Sequence, residues 1–244
     1  MKKLYANFGY TKVKPSKKTK LVQEIFSNIS KRYDLMNDLM SLGTHRFWKK
    51  KFVEIINPKS NEIIIDVGSG TGDIAKSILE TNFNGKLHVL DLNQKMLKIG
   101  KTRIGSNKNI IFHKSNAEKL HFGKNFFDKY IIAFCLRNIT NIEKSIEEAF
   151  RVLKPGGNYY CLEFSSPNSI ITSHIYKNYK NNFLPWIGKI VTKNEDAYKY
   201  LSESIDTFPN QEKLKKILEN TGFQNVSYIN LFDGIVSIHK GFKI

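Results

Sequence analysis

Three glycines at alternate positions, Gly68, Gly70 and Gly72, lie between Asp66 and Asp73, with Thr71 among them. An apolar run ending at Val67 precedes them and a helix-forming run follows. Backbone without Cβ atoms can pass close to a ligand, and a loop between strand and helix aims its N–H groups at one. Dinucleotide sites build this loop as G-x-G-x-x-G. Here the position of the third glycine is Asp73. A carboxylate at the start of the helix competes with a pyrophosphate for the positive N-terminus. A ligand carrying an ammonium and a sulfonium meets no such conflict. The loop therefore points to S-adenosylmethionine, with Asp66 and Asp73 drawing in its amino-acid end. Asp91, ending the next apolar run, is placed to accept hydrogen bonds from both ribose hydroxyls; the plainer reading is a strand-end turn residue. Asn116-Ala117 falls where an adenine edge would be read, and it too has a turn reading.

Such residues need a frame that brings them to one edge. From Glu62 onward strands alternate with helices: strands at 63–67, 87–91, 110–112, 130–134 and 159–164, helices at 73–80, 94–103 and 142–153. The last of these helices stops at Lys154-Pro-Gly-Gly157. This alternation implies an α/β fold with a doubly wound, mostly parallel sheet. Two further strands, 226–231 and 235–238, flank Phe232-Asp-Gly234 as a hairpin at one edge, giving seven. Ahead of the sheet, residues 1–20 read as a basic mobile arm and 21–60 as an N-terminal helical cap, with helical spacing from Leu21 to Ile29 and a helix from Arg46 to Ile56. A helical, aromatic insertion spans 165–208 and reads either as a packing layer or as a lid over the carboxyl ends of the strands. Residues 21–244 are expected to form one domain.

The chain has 244 residues, 41% of them hydrophobic, so it can bury a sizeable core. No apolar run reaches the roughly 18 residues of a membrane span. Cys135 and Cys161 each sit in a strand-like apolar run, which argues against a disulfide framework. The six histidines lack zinc-ligand spacing, and no metal is expected. No signal or transit peptide is visible, so a cytoplasmic location is expected, with contact at the inner face of the membrane. The net charge of +17 is open to three readings: nucleic acid, an anionic lipid surface, or compositional drift in a chain crowded with Lys, Asn and Ile. The lysines are scattered and form no recognisable nucleic-acid module, so no nucleic acid partner is expected.

Three further stretches narrow the class. Tyr33-Asp-Leu-Met-Asn-Asp-Leu-Met-Ser-Leu-Gly-Thr-His-Arg-Phe-Trp48, Leu136-Arg-Asn138 and Tyr198-Lys-Tyr-Leu-Ser-Glu-Ser-Ile205 resemble the ubiquinone/menaquinone biosynthesis C-methyltransferase family, within the class I, Rossmann-like methyltransferases. The resemblance runs from Phe8-Gly9 to His239-Lys-Gly-Phe-Lys243. It implies methyl transfer from S-adenosylmethionine to a ring carbon of a prenylated quinol, demethylmenaquinol or a methoxy-polyprenyl-benzoquinol. Of the functional readings of the charge, peripheral contact with an anionic membrane is the one expected, with other quinone-biosynthesis enzymes as further partners. Two positions depart from the family pattern: Ala133 stands where a serine is common and Cys135 where a glycine is. Ala133 is therefore carried as a cofactor-side position without a hydroxyl. On this reading Arg137 stabilises a developing phenolate and Asn138 orients the ring hydroxyl. Tyr33, Asp34 and Asn37 close the pocket, with Asp34 or a water accepting the proton and His45 as a second candidate base. Glu163 binds a substrate hydroxyl or pairs with a lysine, and Phe183-Leu-Pro-Trp186 with the surface lysines forms an apolar route from the bilayer. Two other readings remain: a methyltransferase for RNA or another small molecule, and a non-catalytic binding protein on the same scaffold.

Overall fold

In the computed structural model, which describes residues 4–183 and 195–244, the alternation seen in the sequence becomes a single seven-stranded sheet. A small hairpin, β1 (Ala6–Phe8) and β2 (Thr11–Val13), comes first. Three helices follow: α1 (Pro15–Ile29), α2 (Tyr33–Ser41) and α3 (His45–Ile56). The sheet then opens with β3 (Ile63–Val67), α4 (Asp73–Leu79), β4 (Lys86–Asp91), α5 (Gln94–Ile104) and β5 (Ile110–Lys114). After the crossover come β6 (Phe127–Ala133), α6 (Ile142–Val152) and β7 (Leu153–Phe164). Helices α7 (Ile170–Asn178), α8 (Glu195–Thr207) and α9 (Gln211–Thr221) lead to the edge pair β8 (Gln224–Leu231) and β9 (Val236–Phe242).

The order across the sheet is β5-β4-β3-β6-β7-β9-β8, parallel except for β9, which runs antiparallel to both its neighbours. The direction of winding reverses between β3 and β6, the crevice where open α/β sheets bind ligands. Successive side chains alternate between faces. Ile64 joins one buried cluster with Phe52, Ile78 and Leu87, while Ile65 and Val67 join the other with Tyr130, Ile132 and Leu214. Helices cover both faces, so β3 is apolar throughout except at Asp66, at its ligand end.

Two expectations need correction. Residues 1–20 are not a mobile arm over their described part. The β1–β2 hairpin docks on α8: Phe8 stacks on Tyr200 at 4.5 Å between centroids, the Tyr10 N–H donates to Glu203 at 3.1 Å and the Tyr10 hydroxyl to Asp206 at 2.5 Å. Pro15 then starts α1 with its φ already helical. Lys154-Pro-Gly-Gly157 lies inside β7, where the pairing with β6 shifts register between Phe127 and Lys129. The helix before it ends at Val152. The expected hairpin strands are present as β8 and β9, joined through Phe232–Gly234. In the 165–208 stretch, α7 has no buried residue. Leu184, Pro185 and Trp186 lie outside the described residues.

Candidate active site

Strand β3 delivers the glycine loop to the crevice with Gly68, Gly70 and Gly72 at φ of 67°, 57° and 79°, a region other residues enter at a cost of about 1–2 kcal/mol. A Cβ on Gly68 would also overlap the Cys135 sulfur. The loop closes on β4 through Asp91, whose Oδ2 accepts the Gly70 N–H at 2.8 Å and whose Oδ1 accepts the Asn93 N–H at 2.7 Å. Burial raises the Asp91 pKa, against the pull of these and the Leu92 N–H. Around this loop lies a cavity of about 770 Å³, walled by Val22, Phe26, Leu92 and Met96 with Asp91, Asn116 and Ala117 on its polar side. The Asn116 Oδ1 is taken by the Glu118 N–H at 2.9 Å, which leaves the amide's donor side for an adenine edge.

A second cavity of about 820 Å³ adjoins it, and Phe26, Tyr33, Gly68, Phe134 and Asn138 line both. Its polar floor includes Asp66 and Thr71, and Ala133 lines it too; its roof is Ile25, Ile29, Met36, Met40 and Leu201. Asp66 is buried, its Oδ2 has no partner, and burial with Asp91 and Asp73 nearby pushes its pKa up to about 7. Asp73 differs. It pairs with Lys49 at 2.6 Å and with Arg103; although burial raises its pKa, these cations outweigh it and hold the carboxyl below its ordinary value. Of the two carboxylates expected to draw in an ammonium, Asp73 is thus already paired with two cations, whereas one oxygen of Asp66 is left open. Thr71 accepts from Arg103 at 3.1 Å.

After β6 the chain turns sharply: Phe134 adopts a left-handed φ of 51°, the kind of strain that collects at functional sites. Its carbonyl accepts from Arg137 Nη1 at 2.7 Å and from Asn138 Nδ2 at 3.4 Å. Arg137 lines the second cavity and is buried against Glu163, its Nη1 at 2.8 Å from Oε1. Burial opposes its charge, yet Glu163 keeps the guanidinium above its usual pKa; burial likewise raises Glu163, against Arg137. Glu163 thus serves Arg137 rather than a substrate hydroxyl or a lysine, and it does not line the cavity. Asn138 Oδ1 accepts from the Tyr200 hydroxyl at 3.1 Å. Tyr200 belongs to the third family-like stretch, yet nothing local in the sequence links it to a residue 62 positions away.

The structure brings Tyr33, Asn37, Arg137 and Asn138 to the second cavity but leaves Asp34 outside it. Asp34 is about half exposed and pairs with Arg103, so it is not placed to accept a proton there. His45 is placed better. It lines the cavity, its Nε2 lies 2.9 Å from Asp38 Oδ1, and its buried Nδ1 has no partner. Burial and then Lys49 lower its pKa against the pull of Asp38, which favours the neutral imidazole.

The residues present fit S-adenosylmethionine: a buried carboxylate with one oxygen unpartnered for its ammonium, a strand-end aspartate for a ribose, a Cβ-free loop between them. Fold and site together define a class I S-adenosylmethionine-dependent methyltransferase. Among solved structures, the SAM-dependent methyltransferase from Thermotoga maritima aligns with a TM-score of 0.63 at 19% identity, covering 92% of this chain and 99% of that one. Phosphoethanolamine N-methyltransferase 2 of Haemonchus contortus, solved with S-adenosyl-L-methionine, aligns at 0.61 and 15% identity over 80% of this chain and 52% of that one. The chain belongs to the ubiE/COQ5 methyltransferase family, whose model matches residues 11–243. It is 43% identical over 240 residues to the ubiquinone/menaquinone biosynthesis C-methyltransferase UbiE of Zymomonas mobilis, and 45% identical over 245 residues to that of Rickettsia prowazekii, covering 98% of each chain in both cases.

Proposed function

We propose that the protein methylates a ring carbon of a prenylated quinol, demethylmenaquinol or a methoxy-polyprenyl-benzoquinol, in menaquinone or ubiquinone biosynthesis. The observation that carries this is the junction of the two cavities at Tyr33, Gly68, Phe134 and Asn138. One cavity suits the adenosine; the other is largely apolar, with a guanidinium and an amide at one end. S-adenosylmethionine, when bound, supplies the electrophilic methyl group. The residues' task is to hold an electron-rich ring in line with it. Arg137 stays cationic and stabilises negative charge on the ring oxygen. Asn138, fixed by Tyr200, orients that hydroxyl, and Tyr33 covers the junction. His45, backed by Asp38, accepts the hydroxyl proton at Nδ1 in place of Asp34; once the ring carbon carries the methyl group, its own hydrogen leaves to water and the ring oxygen regains a proton, which restores the aromatic quinol. The test is incubation with methyl-labelled cofactor and reduced demethylquinol. Label on the ring carbon is expected, and its absence would overturn the reading.

The prenyl tail calls for an apolar exit, and we place it beside α2 and α3. Met40, Ser41 and His45 line the reaction cavity, while Leu42 and Phe47 in the same segment face solvent. Phe47 packs on Phe232 at 6.0 Å, and Asp233 accepts from Ser169 Oγ at 2.6 Å, so the apolar rim continues onto α7 with Ile170, Ile171 and Ile175. Exposed Lys50 and Lys177 lie on the same helices. An apolar surface with cations beside it suits an anionic bilayer. No described helix is long and apolar enough to cross a membrane.

A further inference from the structure

Lys18 belongs to a run of cations, Lys17-Lys18-Thr19-Lys20, in which both neighbouring lysines are exposed. Lys18 itself is only 5% exposed. Its ammonium reaches across the fold to the turn after β6, donating to the Ile139 carbonyl at 2.8 Å and more weakly to the Arg137 carbonyl at 3.4 Å. The same turn is held on that side by the Thr19 hydroxyl, 2.8 Å from that of Thr140. Glu118 Oε1 adds to this hold by accepting the N–H groups of Thr140 and Asn141, each at 3.2 Å. Burying an ammonium costs several kcal/mol, and burial pushes the Lys18 pKa down to about 8 against the opposing field of Glu118. A packing role would call for an apolar side chain at this place. What the ammonium adds is a fixed donor to two carbonyls, one of them that of Arg137 itself.

Resting on the reading of this turn as the acceptor side of a methyl transfer, we propose that Lys18 is a positioning residue for the reaction. By holding the carbonyls of Arg137 and Ile139 from behind, it sets the angle at which the Arg137 and Asn138 side chains meet the cavity junction. Glu163 fixes the Arg137 side chain and Tyr200 the Asn138 side chain, but neither is bonded to these carbonyls. Without Lys18 both carbonyls lose their ammonium donor and the turn relaxes toward other partners.

The test compares wild type with Lys18→Met, which keeps the stem and loses the ammonium, and Lys18→Arg, which restores a cationic donor. In Lys18→Met, kcat should fall on the order of 10- to 100-fold, the loss that small misplacements of reacting groups produce. The Kd for S-adenosylmethionine and the KM for the quinol should stay within about threefold, since no contact with either ligand is removed. Lys18→Arg should recover most of the lost kcat. A Lys18→Met enzyme with near-normal kcat, or an equal loss of cofactor affinity, would overturn the proposal. So would failure of Lys18→Arg to recover activity while remaining folded. A readout free of the reaction is the ¹⁵N resonance of the buried Arg137 Nε: it should shift or broaden in Lys18→Met and return in Lys18→Arg. An unchanged resonance counts against Lys18 even if the quinol proves the wrong substrate, whereas a wild-type enzyme inactive on the quinol with a shifted variant resonance counts only against the substrate.

Discussion

Asp66 is the residue where the electrostatics of the site are most exposed to test. Its pKa of about 7 reflects burial first and then Asp91 and Asp73. A carboxyl raised in this way binds more protons folded than unfolded, so without ligand it costs stability as pH rises from its ordinary range toward 7. A bound ammonium reverses the preference by favouring the ionised form. Cofactor affinity should therefore fall as pH drops below about 7, approaching tenfold per unit, and Asp66→Asn should bind weakly with that dependence gone. Calorimetry between pH 5.5 and 7.5 decides it; an unchanged slope in the variant would remove Asp66 from the role. Arg137 and Glu163 form a different case, a buried ion pair. Removing one partner of such a pair typically costs about 3–5 kcal/mol, while replacing both with apolar groups is often neutral. Glu163→Ala should lower stability by an amount of that order in urea denaturation. The double variant Arg137→Met/Glu163→Leu should regain stability yet stay inactive. A fully active double variant would mean that the guanidinium only holds the fold.

At the level of elements, the glycine loop and the turn after β6 constrain each other. Gly68 needs its left-handed φ, and the space a Cβ would take is filled by Cys135. Two separate penalties follow from one substitution. Gly68→Ala should nearly abolish cofactor binding through both strain and overlap, whereas Gly68→Ala/Cys135→Gly should regain part of it, the residual loss being about the 1–2 kcal/mol of the left-handed conformation. Binding in the double variant no better than in the single one would show that overlap with the thiol is not what matters. The loop and the strands around it were legible in the sequence, because buried parallel strands are continuous apolar runs broken by glycine and helix signals. Ile63–Val67 was read to the residue. Asp91 and Asn116 were legible for the same reason, as positions fixed at strand ends. The β1–β2 hairpin was not, since strands of three residues carry no period and their partner is α8, almost 200 residues on. Long-range pairing also hid the fate of Asp34, which looked like a base beside Tyr33 but meets Arg103, and the use of Lys18, which nothing in a lysine run separates from its solvated neighbours.

Over the whole molecule the cations behind the net charge of +17 are scattered along the sequence, so the proposed membrane contact rests on the apolar rim rather than on a cluster of charge. Ile170 and Ile171 are 89% and 74% exposed, and with Ile175, Phe47, Phe232 and Leu42 they make up the exposed apolar rim proposed for the prenyl tail. Burying one such isoleucine in the interfacial layer contributes up to about 1.5–3 kcal/mol. Each nearby lysine adds roughly 1 kcal/mol at an anionic surface. The second contribution is screened by salt and the first is not. Flotation with anionic liposomes should therefore show binding at low salt that weakens, without vanishing, at high salt. Ile171→Glu/Ile175→Glu should reduce binding at both, by about tenfold or more. Neither isoleucine lines either cavity, so turnover of a short-chain, water-soluble quinol should be unchanged in that variant while turnover of a long-tailed quinol embedded in vesicles falls. Equal losses on both substrates would mean that α7 supports the active site rather than the membrane contact. Undiminished flotation would move the docking surface elsewhere on the protein.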